Sequence, residues 1–72
     1  MPNWKEWLKE ANTAASALAS LKDMQDEYQD QYNELGEKAQ EGDRGQRLSA
    51  LIDIDIDGAI GLVDEMLNVD KP

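Results

Sequence analysis

One pattern of apolar residues, running through residues 4–39, constrains this chain more than any other feature. Steps of three and four residues alternate along it, and ten of its eleven positions are apolar or aromatic: Trp4, Trp7, Ala11, Ala14, Leu18, Leu21, Gln25, Tyr28, Tyr32, Leu35 and Ala39. No proline interrupts it, so the spacing predicts one long helix with a heptad-repeat apolar stripe. Such a helix would be roughly 54 Å long. A chain of 72 residues cannot wrap a globule around it, so we expect the stripe to pack against partner helices.

Capping and turn residues predict where this helix begins and ends. Asn3 followed by Glu6 is close to a capping box, which predicts a start at about residue 3. Gly36 weakens the helix, and the glycine-rich segment 42–45 is the strongest turn signal in the chain. We therefore expect helix one to end somewhere between Gly36 and Gly42, over about residues 3–40, with a turn at 42–45 and a second helix after it.

The second half of the chain keeps helical spacing over about residues 46–69. Its apolar positions recur every three or four residues: Leu48, Ile52, Ile56, Ala59, Val63 and Met66. Residues 53–61 contain three Asp and two Gly, which are poor helix formers, so a break around 53–58 stays open. The alternation of Ile and Asp over 52–57 also fits a strand, but no second strand is available to pair with it.

These elements predict a single all-α domain over residues 1–72: a long helix folded onto a shorter one as an antiparallel helical hairpin. Pairing outward from a turn at 42–45 leaves about ten residues of helix one uncovered. We expect this overhang to drive dimerisation into a coiled-coil or four-helix bundle. The residues assigned to self-association are Trp4, Trp7, Leu8, Leu18 and Leu21. Gln25, the polar residue of the stripe, is expected to fix register or oligomeric state.

The charge is strongly acidic and unevenly distributed. Sixteen acidic and seven basic residues give a net charge of −9, and residues 23–70 hold fourteen of the acidic and three of the basic side chains. Such a surface repels nucleic-acid phosphates and attracts basic protein surfaces. We expect a protein partner, with no direct binding of nucleic acid. The residues assigned to it are Asp23, Asp26, Glu27, Asp30, Glu34, Glu37, Tyr28 and Tyr32. The alternative is that these charges form a solvated face that maintains solubility.

The composition argues against several other classes of protein. There is no Cys or His, which removes disulfides, Cys/His zinc sites and imidazole catalysis. No phosphate-binding glycine loop and no carboxylate pocket is recognisable, so we expect no enzymatic activity. No signal peptide or membrane-spanning stretch is recognisable either, so the expected location is the cytoplasm, or the host cytoplasm if the protein is viral.

One segment of twelve residues, 53–64, resembles the calcium-binding loop of EF-hand and dockerin proteins. It reads Asp-Ile-Asp-Ile-Asp-Gly-Ala-Ile-Gly-Leu-Val-Asp, with acidic residues at alternate positions, glycine at the sixth and an acid at the twelfth. The resemblance implies side-chain and carbonyl ligands to Ca²⁺ from Asp53, Asp55, Asp57, Ala59 and Asp64. It departs from the family at Ile56, at Glu65 and in lacking a second loop.

Two functional hypotheses follow. The first is a non-enzymatic acidic interaction protein without a cofactor, acting as an inhibitor or adaptor on a basic or nucleic-acid-handling protein. Its size and charge are similar in general character to small viral and mobile-element inhibitors of such proteins. The alternative is a calcium-binding helix–loop–helix protein.

Overall fold

In the computed structural model, which describes residues 3–72, the chain forms four helices and no strand. In chain order they are α1 Trp4–Glu34, α2 Glu37–Glu41, α3 Asp43–Ile52 and α4 Ile56–Leu67. α1 contacts both α3 and α4, and α2 packs against α3. The all-α helical hairpin that the sequence predicts is therefore confirmed.

α1 begins where the sequence predicts. The Asn3 side-chain oxygen accepts a hydrogen bond from the backbone N–H of Lys5 at 2.8 Å, which caps the first turn. The helix then continues for 31 residues without glycine or proline. This one helix supplies one side of the whole hairpin.

α1 ends earlier than the predicted residue 40. Leu35 and Gly36 take extended backbone conformations, with ψ angles of 141° and 163°. The Gln40 side-chain amide donates to the carbonyl oxygens of Tyr32 and Leu35, at 3.1 and 3.2 Å. Carbonyls in the last turn of a helix lack intrahelical donors, so this amide stabilises the helix end. The reversal therefore begins at 35–36, before the segment predicted as the turn, and it continues through α2 to Gly42, which is extended as well.

The predicted turn at 42–45 is only a short break between α2 and α3. Gly42 separates the two helices, whereas Gly45 lies inside α3 and is buried. A Cβ atom at Gly45 would collide with the backbone of Gln40. Glycine is needed at this position because it lets the two helices approach closely.

The second half breaks once more, at residues 53–55, within the segment where a break was left open. α3 ends at Ile52, and the Asp55 carboxylate accepts a hydrogen bond from the backbone N–H of Gly58 at 2.9 Å, which caps α4. The Ile-Asp alternation is thus a helix end, a tight turn and a helix start. It does not form a strand.

Side-chain contacts along the hairpin define its register. The indole N–H of Trp7 donates to the carbonyl of Met66 at 2.7 Å. About two-thirds of the way along α1, the Gln25 amide donates to the carbonyl of Leu51 at 2.9 Å. The early reversal gives the returning chain enough residues to reach the start of α1. The prediction of a ten-residue overhang at the amino end of α1 is therefore wrong.

The hydrophobic core is thin. Among residues 3–72 the buried apolar side chains are Ala11, Leu48 and Val63, and no large side chain is fully buried. The hairpin measures 55 × 18 × 14 Å, so it is a flat rod with two broad faces and little interior.

Candidate interaction surfaces

α1 carries an exposed row of four carboxylates, which we call the acidic stripe: Asp23, Glu27, Asp30 and Glu34. Their spacing of four, three and four residues places them on one side of the helix. Gln25, the buried residue in this part of α1, points in roughly the opposite direction at 100° per residue. The stripe therefore lies on the outer edge of the hairpin and extends for about 16 Å at 1.5 Å per residue.

In the described part of the chain, two positive charges flank the acidic stripe without pairing with it: Lys22 precedes Asp23, and the Arg44 guanidinium donates to the side-chain oxygen of Gln31 at 3.3 Å. No Lys or Arg occurs between Asp23 and Glu37. Within residues 3–72, the ion pair joins Lys22 Nζ to Asp57 Oδ2 at 3.4 Å, so no stripe carboxylate forms an ion pair there. Four like charges along one exposed edge produce a negative potential that extends into solvent.

The other four residues predicted to bind a partner lie elsewhere. Asp26 is exposed on one flank of α1, and Glu37 opens α2 after the reversal. Tyr28 lines an apolar groove on the other flank, and Tyr32 is half-buried. The structure thus brings four of the eight predicted residues together and separates the two tyrosines from them.

One broad face of the hairpin, which we call the apolar face, exposes a band of large apolar side chains. Each is between 36% and 58% exposed: Trp7, Leu21, Met24, Tyr28, Leu51, Ile54, Leu62 and Met66. Two grooves of about 370 and 350 Å³ follow the band, one at Trp7 and Met66 and one at Leu21, Met24 and Ile54. Leu62 lies one helical turn before Met66 and so belongs to the same side of α4.

The residues predicted for self-association divide between this face and the inside of the hairpin. Trp7 and Leu21 are 46% and 48% exposed on the apolar face, whereas Trp4, Leu8 and Leu18 are half-buried within the hairpin. Trp4 and Trp7 line a groove with the carboxyl-terminal residues Val69 and Pro72. In the described range, the buried indole N–H of Trp4 has no hydrogen-bond partner.

Gln25 holds the middle of the hairpin together. Its amide nitrogen lies 2.9, 3.1 and 2.8 Å from the carbonyl oxygens of Leu51, Ile52 and Ile54. Lys22 Nζ lies 3.4 Å from the side-chain oxygen of the same amide. The chain turns between α3 and α4 here, and Gln25 supplies donors to carbonyls that the helix end leaves without partners. This contact fixes the register between α1 and the returning chain.

The five residues predicted to bind calcium lie along the α3–α4 junction and in α4: Asp53, Asp55, Asp57, Ala59 and Asp64. Asp55 caps α4 through the N–H of Gly58, and Asp57 pairs with Lys22. In residues 3–72, no group of three or more acidic, His or Cys side chains is arranged to hold a metal ion. The calcium site stays a prediction.

Sequence reasoning did not assign Met24, Ile54 or Leu62 to any surface. For Leu62 a signal exists in the width of the apolar arc on α4. Ile60, Val63, Leu62 and Met66 together cover more of the helix circumference than one neighbouring helix can bury.

No family model, curated protein or solved structure matches this chain. Among the helices of residues 3–72, none has the length and apolar character needed to cross a membrane. The function is therefore argued from the two surfaces themselves.

Proposed function

We propose that this chain is a non-enzymatic protein-binding module that uses its acidic stripe to bind a basic surface on another protein. The partner of best-fitting chemistry is a protein whose Lys- and Arg-rich surface normally holds nucleic acid. Binding would cover that surface, so the chain would act as an inhibitor or adaptor.

The observation that carries this proposal is the row formed by Asp23, Glu27, Asp30 and Glu34. All four are exposed, they share one side of a rigid helix, and none is neutralised by an ion pair within residues 3–72. Charges arranged in this way steer a basic partner into contact and discriminate against acidic partners. The same field disfavours direct binding to nucleic acid.

Neutralising the stripe tests the proposal without altering side-chain size. In the stripe variant, Asp23→Asn, Glu27→Gln, Asp30→Asn and Glu34→Gln are combined. The matched control neutralises four exposed carboxylates outside the stripe, on the returning half of the chain: Asp53→Asn, Asp64→Asn, Glu65→Gln and Asp70→Asn. Both variants lose four negative charges. A difference in binding between them therefore reports the position of the charges and not the net charge.

Each immobilised protein is exposed to a cell extract, and retained proteins are identified by mass spectrometry. We expect wild type and control to retain a basic nucleic-acid-binding protein, and the stripe variant to lose it while keeping its helical CD spectrum. Retention should fall as salt rises from about 0.05 to about 0.5 M, since screening shortens the range of the attraction. Equal retention by the stripe variant would overturn the proposal, as would binding of labelled duplex DNA to the wild-type chain.

A further inference from the structure

We propose that the apolar face is the docking site for a second copy of this chain, which gives a homodimer of two hairpins packed face to face. The inference does not depend on the acidic stripe or on any other partner.

The first argument is the amount of exposed surface. The chain exposes 5779 Å², whereas a folded monomer of 8.1 kDa is expected to expose about 4,500 Å². The difference of about 1,300 Å² exceeds the roughly 800 Å² that each partner buries in a stable interface of standard size. The hairpin therefore has enough surplus surface for one such interface.

The second argument is the spacing of the α1 residues that line the two grooves of the apolar face. Trp7, Ala14, Leu21 and Tyr28 recur every seven residues along the side of the helix that borders the apolar face. A strict seven-residue apolar repeat is the pattern by which one helix packs along another of the same kind. In a twofold dimer the same patch is used by both copies, so the repeat on one copy meets an identical repeat on the other.

The third argument is charge. The central groove is lined by apolar side chains and Gln25, without a charged residue; Glu6 and Glu10 appear only in the groove at the amino end. A basic partner would find no counter-charge in the centre of this face. A second copy offers an equally uncharged centre, so neither chain has to bury an unpaired charge there.

The dimer leaves the acidic stripe uncovered. Around α1 at 100° per residue, the stripe is separated from the apolar face by roughly a quarter of a turn at Met24 and by more than a third of a turn at Leu21 and Tyr28. The two surfaces can therefore be occupied at the same time, and a dimer would present two stripes, one on each outer edge.

The test is sedimentation equilibrium of the full chain and of three variants. Leu21→Gln with Met24→Gln changes two half-exposed residues of the apolar face without adding charge. Leu62→Gln probes the same face from α4. The matched control, Asn12→Gln with Ala19→Gln, changes two exposed residues on the outer side of α1.

We expect wild type and control to sediment with twice the 8.1 kDa chain mass at about 100 µM. The double variant should weaken dimerisation by at least about a hundredfold, since each dimer loses four apolar contacts. Leu62→Gln should weaken it by roughly tenfold. Far-UV CD of each variant verifies that the monomer still folds. A wild-type chain that remains monomeric at these concentrations, or folded variants that dimerise as tightly as the control, would overturn the inference.

Discussion

The two broad faces of the hairpin are built from the same helices. They differ in whether their side chains find partners within the chain. We call the side of α1 that carries Lys22, Gln29 and Asn33, roughly a third of a turn from Leu21 and Tyr28, the polar face. There Lys22 pairs with Asp57, and the Gln29 amide donates to the side-chain oxygen of Asn33 at 3.0 Å. On the apolar face, eight large apolar side chains remain at least 36% exposed. The polar side chains are paired within one chain, whereas the exposed apolar side chains would be buried only by a second molecule. The difference indicates that a second copy binds at the apolar face.

Gln25 lies between the two faces, and its replacement is expected to have the largest effect on the single hairpin. Gln25→Leu removes the two amide N–H groups that lie within reach of three part-buried carbonyl oxygens at the α3–α4 turn. Leaving a buried polar group without its partner costs about 1–3 kcal/mol. We expect the free energy of unfolding, measured in urea at a fixed protein concentration, to fall by about 2–3 kcal/mol.

Gln29→Leu is the matched control for that measurement. Within residues 3–72 the Gln29 amide donates to Asn33 alone, at an exposed site, so the change in unfolding free energy should stay within about 0.5 kcal/mol. If both variants lose the same stability, the turn carbonyls do not depend on Gln25, and its proposed role in register is refuted.

The ion pair of the polar face is expected to contribute much less. Lys22 and Asp57 have side chains that are 36% and 74% exposed, so water and salt screen their attraction. A double-mutant cycle with Lys22→Met and Asp57→Asn should give a coupling energy of about 0.5 kcal/mol or less. A coupling above roughly 2 kcal/mol would show that this face holds the hairpin together through charge, contrary to the comparison drawn above.

Calcium provides the test with the smallest expected effect. The Asp55 carboxylate already caps α4, and Asp57 already pairs with Lys22. We therefore expect thermal melts followed by far-UV CD to give the same midpoint in calcium and in EDTA. A ligand that binds only the folded state raises the midpoint, so a clear rise with calcium, absent with magnesium and lost in Asp53→Asn, would establish the calcium loop instead.

The helical class and the hairpin could be predicted from residue spacing because the long apolar repeat is a local property of α1. The point of reversal could not. The sequence signal at 42–45 is stronger than that at Gly36, yet the reversal begins at 35–36, where Gln40 reaches back to the carbonyls of Tyr32 and Leu35. This side-chain contact spans several residues, so the local turn propensities do not reveal it.

Of the two candidate surfaces, one could likewise be predicted from the sequence and the other could not. The acidic stripe could be predicted because helical spacing alone places Asp23, Glu27, Asp30 and Glu34 on one side. The apolar face combines residues from α1, α3 and α4, so its composition depends on the register of the hairpin. Because the turn was predicted at 42–45, the predicted register differed by several residues and left Trp4 in an uncovered overhang. In the structure Trp4 is half-buried.

Small-angle X-ray scattering over a concentration series tests most directly the claim that the apolar face is half of a dimer. The single hairpin has a Cα radius of gyration of 16.9 Å. A second copy packed face to face about 10 Å away doubles the forward scattering per unit protein concentration. It raises the radius of gyration only to about 18 Å. We expect that result at high concentration. Monomer scattering at every concentration, or a doubled mass with a radius of about 30 Å from end-to-end association of two rods of this length, would contradict the account.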